Sequence, residues 1–155
     1  MELQWDWPAI TTILLWKLAP KGVVITKKDL GDLPKDLVMI DYRDPEGTHI
    51  RFSWLSIQEA IDLQPKVLAK TGKKAGVSEL QGRWEKTAVV ILWKLAKDGC
   101  ILTHQDRERL PVDKMLLASG HAQDIEYRFA DRREGEGIAR FERDNEGKMI
   151  LEFSS

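Results

Sequence analysis

The sequence predicts an α+β protein built from two tandem copies of one unit, helix–short strand–short helix–β-hairpin. The copies are expected about a pseudo-twofold axis, with an extra β-hairpin at the C-terminal end. Three observations predict this. Residues 7–34 align without a gap on residues 84–111 at a constant offset of 77, with eleven identities in 28 positions. Glycine, threonine and proline punctuate both stretches at the same places: Gly22/Gly99, Thr26/Thr103 and Pro34/Pro111. Turn residues between apolar alternations then mark a hairpin after each stretch.

The first element of each copy is a helix. Residues 8–19 and 85–96 are apolar around most of a helical circumference, as suits burial on several sides. Pro8 favours a first helical turn. In the second copy Ser78 and Gln81 have capping-box spacing, which puts the helix start near Glu79. Gly22 and Gly99 fall just past the helix ends, where a left-handed backbone is wanted. Residues 23–25 and 100–102 read as brief strands. Thr26 with Asp29, and Thr103 with Asp106, have the spacing of an N-cap and an acidic third helical residue, so a short helix follows each strand. Pro34 and Pro111 end those helices.

Hairpins come next. Strands are expected at 37–42 and 49–54 around Asp44-Pro45-Glu46-Gly47, and at 114–118 and 125–130 around Ser119-Gly120-His121-Ala122. At the same offset Arg51-Phe52 matches Arg128-Phe129, and Trp54 aligns with Asp131. The copies then diverge. Residues 56–63 read as a helix capped by Ser56 and Glu59. After the second hairpin, strands at 138–143 and 148–153 flank Asp144-Asn145-Glu146-Gly147, with one buried and one wet face. The expected organisation is residues 1–70 as the first unit with a trailing helix, 71–77 as linker, and 78–155 as the second unit with the extra hairpin. Units this small are marginal alone, so a shared core is favoured.

Composition narrows the function classes. Lys+Arg number 24 and Asp+Glu 25, and the net charge of -1 provides no global attraction to nucleic acid or anionic membrane. The single cysteine, Cys100, excludes an internal disulfide and a cysteine-cluster metal site. It fits a buried thiol in a reducing, cytoplasmic setting. Residues 1–4 carry no basic leader region, and no apolar run approaches the ~20 residues that cross a bilayer.

Chemistry is hard to find. His49, His104 and His121 show no metal-ligand spacing, and the glycines form neither a phosphate loop nor a dinucleotide fingerprint. No catalytic, metal or cofactor site is therefore expected, and the chain reads as a non-enzyme. Among identical positions, Lys17/Lys94, Asp36/Asp113 and Arg51/Arg128 lack an obvious fold role. The two lysines read as a solvated stripe lying across the neighbouring tryptophan, with a shared anion or partner site as the alternative. Trp7, Trp16, Trp84 and Trp93 read as core packing.

The favoured function is protein interaction through the unmatched segments, 56–76 and 131–155. Trp54 is the candidate aromatic anchor. Arg128, Arg132, Arg133, Arg140 and Arg143 are the candidate polar contacts, and the edge of the last hairpin is a candidate site for an added strand. Compact size, a duplicated unit and no catalytic signature fit a small phage or mobile-element accessory protein. The alternative is nucleic-acid binding, with the same arginines on phosphates and Phe129 and Phe141 nearby. Helix, strand, helix and hairpin resemble a winged helix in part, but residues 34–37 leave no room for a recognition helix.

Overall fold

The computed structural model describes residues 5–153 except Gly47, Ala122 and Gln123. The chain is mixed helix and sheet, with five α-helices and two antiparallel sheets among the described residues. Helix α1 (Trp7–Leu18) is followed by β1 (Val23–Ile25), α2 (Lys27–Gly31), β2 (Leu37–Arg43), β3 (His49–Ser56), α3 (Ile57–Thr71) and β4 (Gly76–Val77). Then come α4 (Gly82–Leu95), β5 (Cys100–Thr103), α5 (His104–Glu108), β6 (Lys114–His121) and β7 (Asp124–Asp131). A 3-10 turn (Arg132–Glu134) leads to β8 (Ala139–Arg143) and β9 (Met149–Phe153).

Local chemistry explains the punctuation. Asp6 caps α1 by accepting from the Ala9 N–H, and Pro8 sits in the first turn. The helix closes at Ala19, with φ −144° and ψ 59°, and α4 closes at Ala96 with −146° and 58°. Gly22 and Gly99 follow with φ of 103° and 105°, values that side chains strain to adopt. Each of these glycines also runs close beneath a strand carbonyl, that of Tyr127 for Gly22 and of Phe52 for Gly99. Thr26 and Thr103 both form complete capping boxes, with Asp29 and Asp106 respectively.

The start of α4 differs from expectation. Ser78 and Gln81 form no capping box, and the helix begins at Gly82 rather than near Glu79. Glu85, buried in the first turn, explains why. Its carboxylate accepts from the Ser78 hydroxyl and from the Glu79 and Gln81 N–H groups, which holds residues 78–81 as a loop.

The sheets interleave the two ends of the chain. One has the order β1-β7-β6-β8-β9 and the other β4-β2-β3-β5. Thus β1 pairs with the later hairpin, and β5 with the earlier one. Helices α1 and α4 pack together, and the Thr11 hydroxyl bridges the Trp7 and Trp84 carbonyls across them. One hydrophobic cluster joins Ile13, Leu14, Met39 and Phe52 to Val90, Leu92, Leu116, Tyr127 and Phe141. Residues from both ends therefore share a core.

A smaller cluster lies on the other face of the four-stranded sheet. Side chains alternate across a strand. Met39 accordingly enters the main core, while Val38, Ile40 and Tyr42 meet Ala60, Val67 and Ala75. Helix α3 covers this second face. It runs beyond the expected residue 63 and carries Pro65 inside it. The following stretch, expected to be only a linker, includes β4, whose Val77 pairs with Ile40.

The hairpins are longer than expected. Strand β6 continues through Ser119, Gly120 and His121, so of the expected turn only Ala122 remains, and it lies outside the described residues. Gly47 of the first turn is also outside them. The constant offset fails here as well. Met39 faces Trp54, and Leu116, 77 residues after Met39, faces Phe129. Trp54 thus occupies the ladder position of Phe129 and not of Asp131, and Phe52 that of Tyr127 and not of Phe129. The cause is turn length: six residues separate the paired Arg43 and Ile50, against four between Gly120 and Ile125.

Candidate partner-binding surface

The lysines singled out in the sequence are solvent-facing, as expected, but each is also bonded within the chain. Lys17 Nζ lies 2.9 Å from Asp106 Oδ2 and donates to the Ile101 carbonyl. Lys94 Nζ lies 2.9 Å from Asp29 Oδ2 and donates to the Val24 carbonyl. Each lysine therefore ties its helix to the capped turn at the opposite end of the chain. Burial alone would raise the Asp106 carboxyl, but the Lys17 ammonium and the Thr103 N–H outweigh it and hold the pKa below the ordinary value. Asp29 is lowered in the same way, burial being outweighed by the Thr26 N–H and Lys94.

Trp54 is half-buried. Its ring meets the Trp93 ring edge-on, with centroids 5.0 Å apart, and its indole nitrogen is buried without a hydrogen-bond partner among the described residues. Trp16 and Phe129 pack in the same manner at 4.9 Å. The alignment against Asp131 was the ground for expecting Trp54 to be exposed, and the strand register removes that ground.

The five arginines are dispersed. Arg132 pairs with Glu142 at 2.8 Å, and Arg143 pairs with Glu108 at 2.8 Å while also donating to the Glu108 carbonyl. Arg128 is 3.9 Å from Glu126. Arg133 and Arg140 are exposed, on the 3-10 turn and β8. The hairpin behind them is held inward by buried Phe141 and Met149, and Phe153 meets Trp84 edge-on.

An open cleft of about 310 Å³ lies where β2 meets the end of α3, lined by Trp5, Asp41, Arg43, Thr71, Lys73 and Gly76 among others. The Asp41 carboxyl is pushed up by burial and by the nearby Glu85 carboxylate, against the pull of Arg43. The Thr71 hydroxyl is shared between the Val67 and Lys73 carbonyls. Among the described residues no group of three or more His, Cys, Asp or Glu side chains could hold a metal, and no helix is long and apolar enough to cross a membrane.

The most exposed apolar surface is elsewhere, on α3. Ile57 is 61% exposed, Ile61 58% and Leu68 44%. At about 100° per residue, Ile57, Gln58, Ile61, Gln64, Pro65, Leu68, Ala69 and Thr71 occupy one sector of roughly 160° without a charge. Its polar members are already bonded within the chain. Gln58 donates to Asp62, Gln64 spans the Ala75 N–H and carbonyl, and Thr71 bonds as above. A partner could cover the part of this sector around Gln64 and Thr71 without stranding their side-chain bonds, while the Gln58 amide oxygen would need a partner of its own. Segment 56–76 was legible in the sequence as a candidate contact region, but these residues were not. The signal was present as the 4-3-4-3 spacing of Ile57, Ile61, Gln64, Leu68 and Thr71. Compared with protein-family models, curated proteins and solved structures, the chain matches none of them.

Proposed function

We propose that the chain is a duplicated scaffold acting as a non-enzymatic protein-interaction module, with α3 as its main contact surface. The carrying observation is the uncharged, apolar sector of α3, whose three large aliphatic side chains face solvent. Exposed apolar surface is common, but three such residues on one seam of one helix, with Gln64 and Thr71 between them bonded within the chain, suit docking.

Duplication is supported by the matching helix ends, capping boxes and glycine angles, and by the reciprocal Lys17–Asp106 and Lys94–Asp29 pairs. It bears on function because α3 has no counterpart after the second hairpin, where a 3-10 turn and β8 stand instead. A helix added to one copy alone is free of the scaffold's internal constraints.

The test is in-cell lysine cross-linking, read by mass spectrometry. Lys66 and Lys70 on α3 are expected to link to a specific polypeptide, and Ile61→Glu to abolish those links while the fold persists. Links unchanged in Ile61→Glu would remove α3 from the contact.

Nucleic-acid binding through the arginines is the second reading, favoured by exposed Arg133 and Arg140 beside the last hairpin. The carboxylates on Arg132 and Arg143 compete with phosphate for the same donors. This reading predicts a gel shift that weakens steeply with salt.

A further inference from the structure

Among the described residues the two sheets end in the edge strands β1 and β9, and β4 and β5. Three of these offer little to a further strand. Lys94 already donates to the Val24 carbonyl of β1, and Lys17 to the Ile101 carbonyl of β5. Strand β4 is only two residues long. Strand β9 has five residues, and no described strand pairs with its outer side. At the turn before it the Asp144 N–H donates to the Lys148 carbonyl. Alternation along the β8–β9 ladder then directs the main-chain groups of Ile150 and Glu152 toward β8, and those of Met149, Leu151 and Phe153 outward. Side chains alternate as well. Lys148, Ile150 and Glu152 are exposed on one face, while Met149 is buried and Leu151 and Phe153 are partly buried on the other.

We infer that β9 pairs antiparallel with β9 of a second copy, about a twofold axis at Ile150, and joins the two five-stranded sheets into one. The outward groups of Met149 then bond those of Leu151 of the second copy, and the reverse. On the wet face Ile150 meets its counterpart, Lys148 meets Glu152 of the second copy, and Glu152 meets Lys148 of the second copy. These are the closely spaced, non-hydrogen-bonded pairs of the new ladder, where side chains meet directly. Ile150 is 38% exposed in the single chain, and the two ion pairs flank it on the same face. Lys148 lies 3.5 Å from the well-exposed Glu146, a surface pair that exchanges at little cost. Charge selects the register. A slip of two residues sets Glu152 against Glu146 in one direction and against Ile150 in the other. Parallel, in-register pairing sets Lys148 against Lys148 and Glu152 against Glu152. Only the twofold register matches each charge with its opposite, as an isologous interface requires. This edge belongs to the sheet that α3 does not cover, so the inference goes beyond docking through that helix.

Sedimentation velocity of the full chain from ~5 to ~500 µM tests the inference, a range that captures weak dimers. The wild-type chain is expected to shift from monomer to dimer. Ile150→Lys, which sets like charges together at the axis, is expected to remain monomeric with an unchanged circular dichroism spectrum. Lys148→Glu and Glu152→Lys are each expected to associate at least ~10-fold more weakly, and their mixture to regain dimer. In a Cys100→Ser background, Ile150→Cys is expected to form a disulfide between copies on mild oxidation, and Glu152→Cys is not. A wild-type monomer throughout the range, or a dimer indifferent to Ile150→Lys, overturns the inference. A dimer that Ile61→Glu abolishes and Ile150→Lys leaves intact does so too, and assigns the contact to α3. Disulfide linkage at position 152 rather than 150 overturns the register.

Discussion

The segments that follow the two hairpins solve the same problem in opposite ways. After β7 the chain makes a second hairpin and spends its apolar side chains inward: Phe141 is fully buried, and Phe153 packs on Trp84. After β3 it makes α3, which buries Ala60 and Val67 but leaves Ile57, Ile61 and Leu68 in water. The polar surfaces differ too. Arg132 and Arg143 pair with Glu142 and Glu108, whereas Lys66, Lys70, Lys73 and Lys74 around the end of α3 have no carboxylate partner among the described residues. One appendage completes the core; the other leaves three large aliphatic side chains exposed.

The sharpest contrast is between substitutions at the two sites. Phe141→Ala should cost about 3–5 kcal/mol in urea unfolding, because it opens a cavity in the shared core. Ile61→Ala should change stability by no more than about 0.5 kcal/mol. Comparable losses at both positions would erase the distinction.

Next in size are the locks joining the two ends of the scaffold. Lys17→Met should destabilise by about 1–3 kcal/mol, since it leaves the buried Asp106 carboxylate with only the more distant Arg109 guanidinium, 3.9 Å away. Lys94→Met should cost less, because Asp29 is the more exposed of the two carboxylates. Equal losses would show that burial of the acid does not set the strength. Gly99→Ala should cost about 1–3 kcal/mol, because φ is 105° and the Phe52 carbonyl would lie 2.9 Å from the new methyl group.

The acid response follows from the same carboxylates. Asp29 and Asp106 are lowered in the folded chain, and Asp44 is lowered to about 2. A depressed carboxyl lends stability above its unfolded pKa and loses it as pH falls through the folded value. Urea midpoints should therefore fall between about pH 4 and pH 2. Lys17→Met should flatten part of that decline, and an unaltered slope would discount the Asp106 lock. The smallest effect is expected at Asp41. Its carboxyl is raised by burial, so the charged form opposes folding at neutral pH. Asp41→Asn should be neutral to stabilising by up to about 1 kcal/mol, and a clear loss would point to a structural bond from that carboxylate.

Much of this was legible because punctuation is local. A glycine past a helix end, a threonine three residues before an aspartate and a proline after a leucine each act on their own backbone neighbours, and the structure has them where the spacing put them. The hairpin register was not legible. A difference of two turn residues shifts every later partner, and it left Trp54 mismatched with Asp131. Nor was the role of Lys17 and Lys94. Their partners, Asp106 and Asp29, are also identical positions, but each pair joins opposite ends of the chain, and a comparison of one unit with the other does not reveal contacts between them. The α3 seam was missed for a related reason. The helix was read as ending at residue 63, whereas it continues through Pro65 to Thr71, so Leu68 fell outside the expected helix.

The most direct measurement of the central claim is the accessibility of position 61. In a Cys100→Ser background, Ile61→Cys can be labelled with a maleimide in the intact cell and in dilute purified protein. The account predicts rapid labelling of the dilute protein and strong protection in the cell. Equal labelling in both would contradict it, because a side chain never covered in the cell is not part of a working interface.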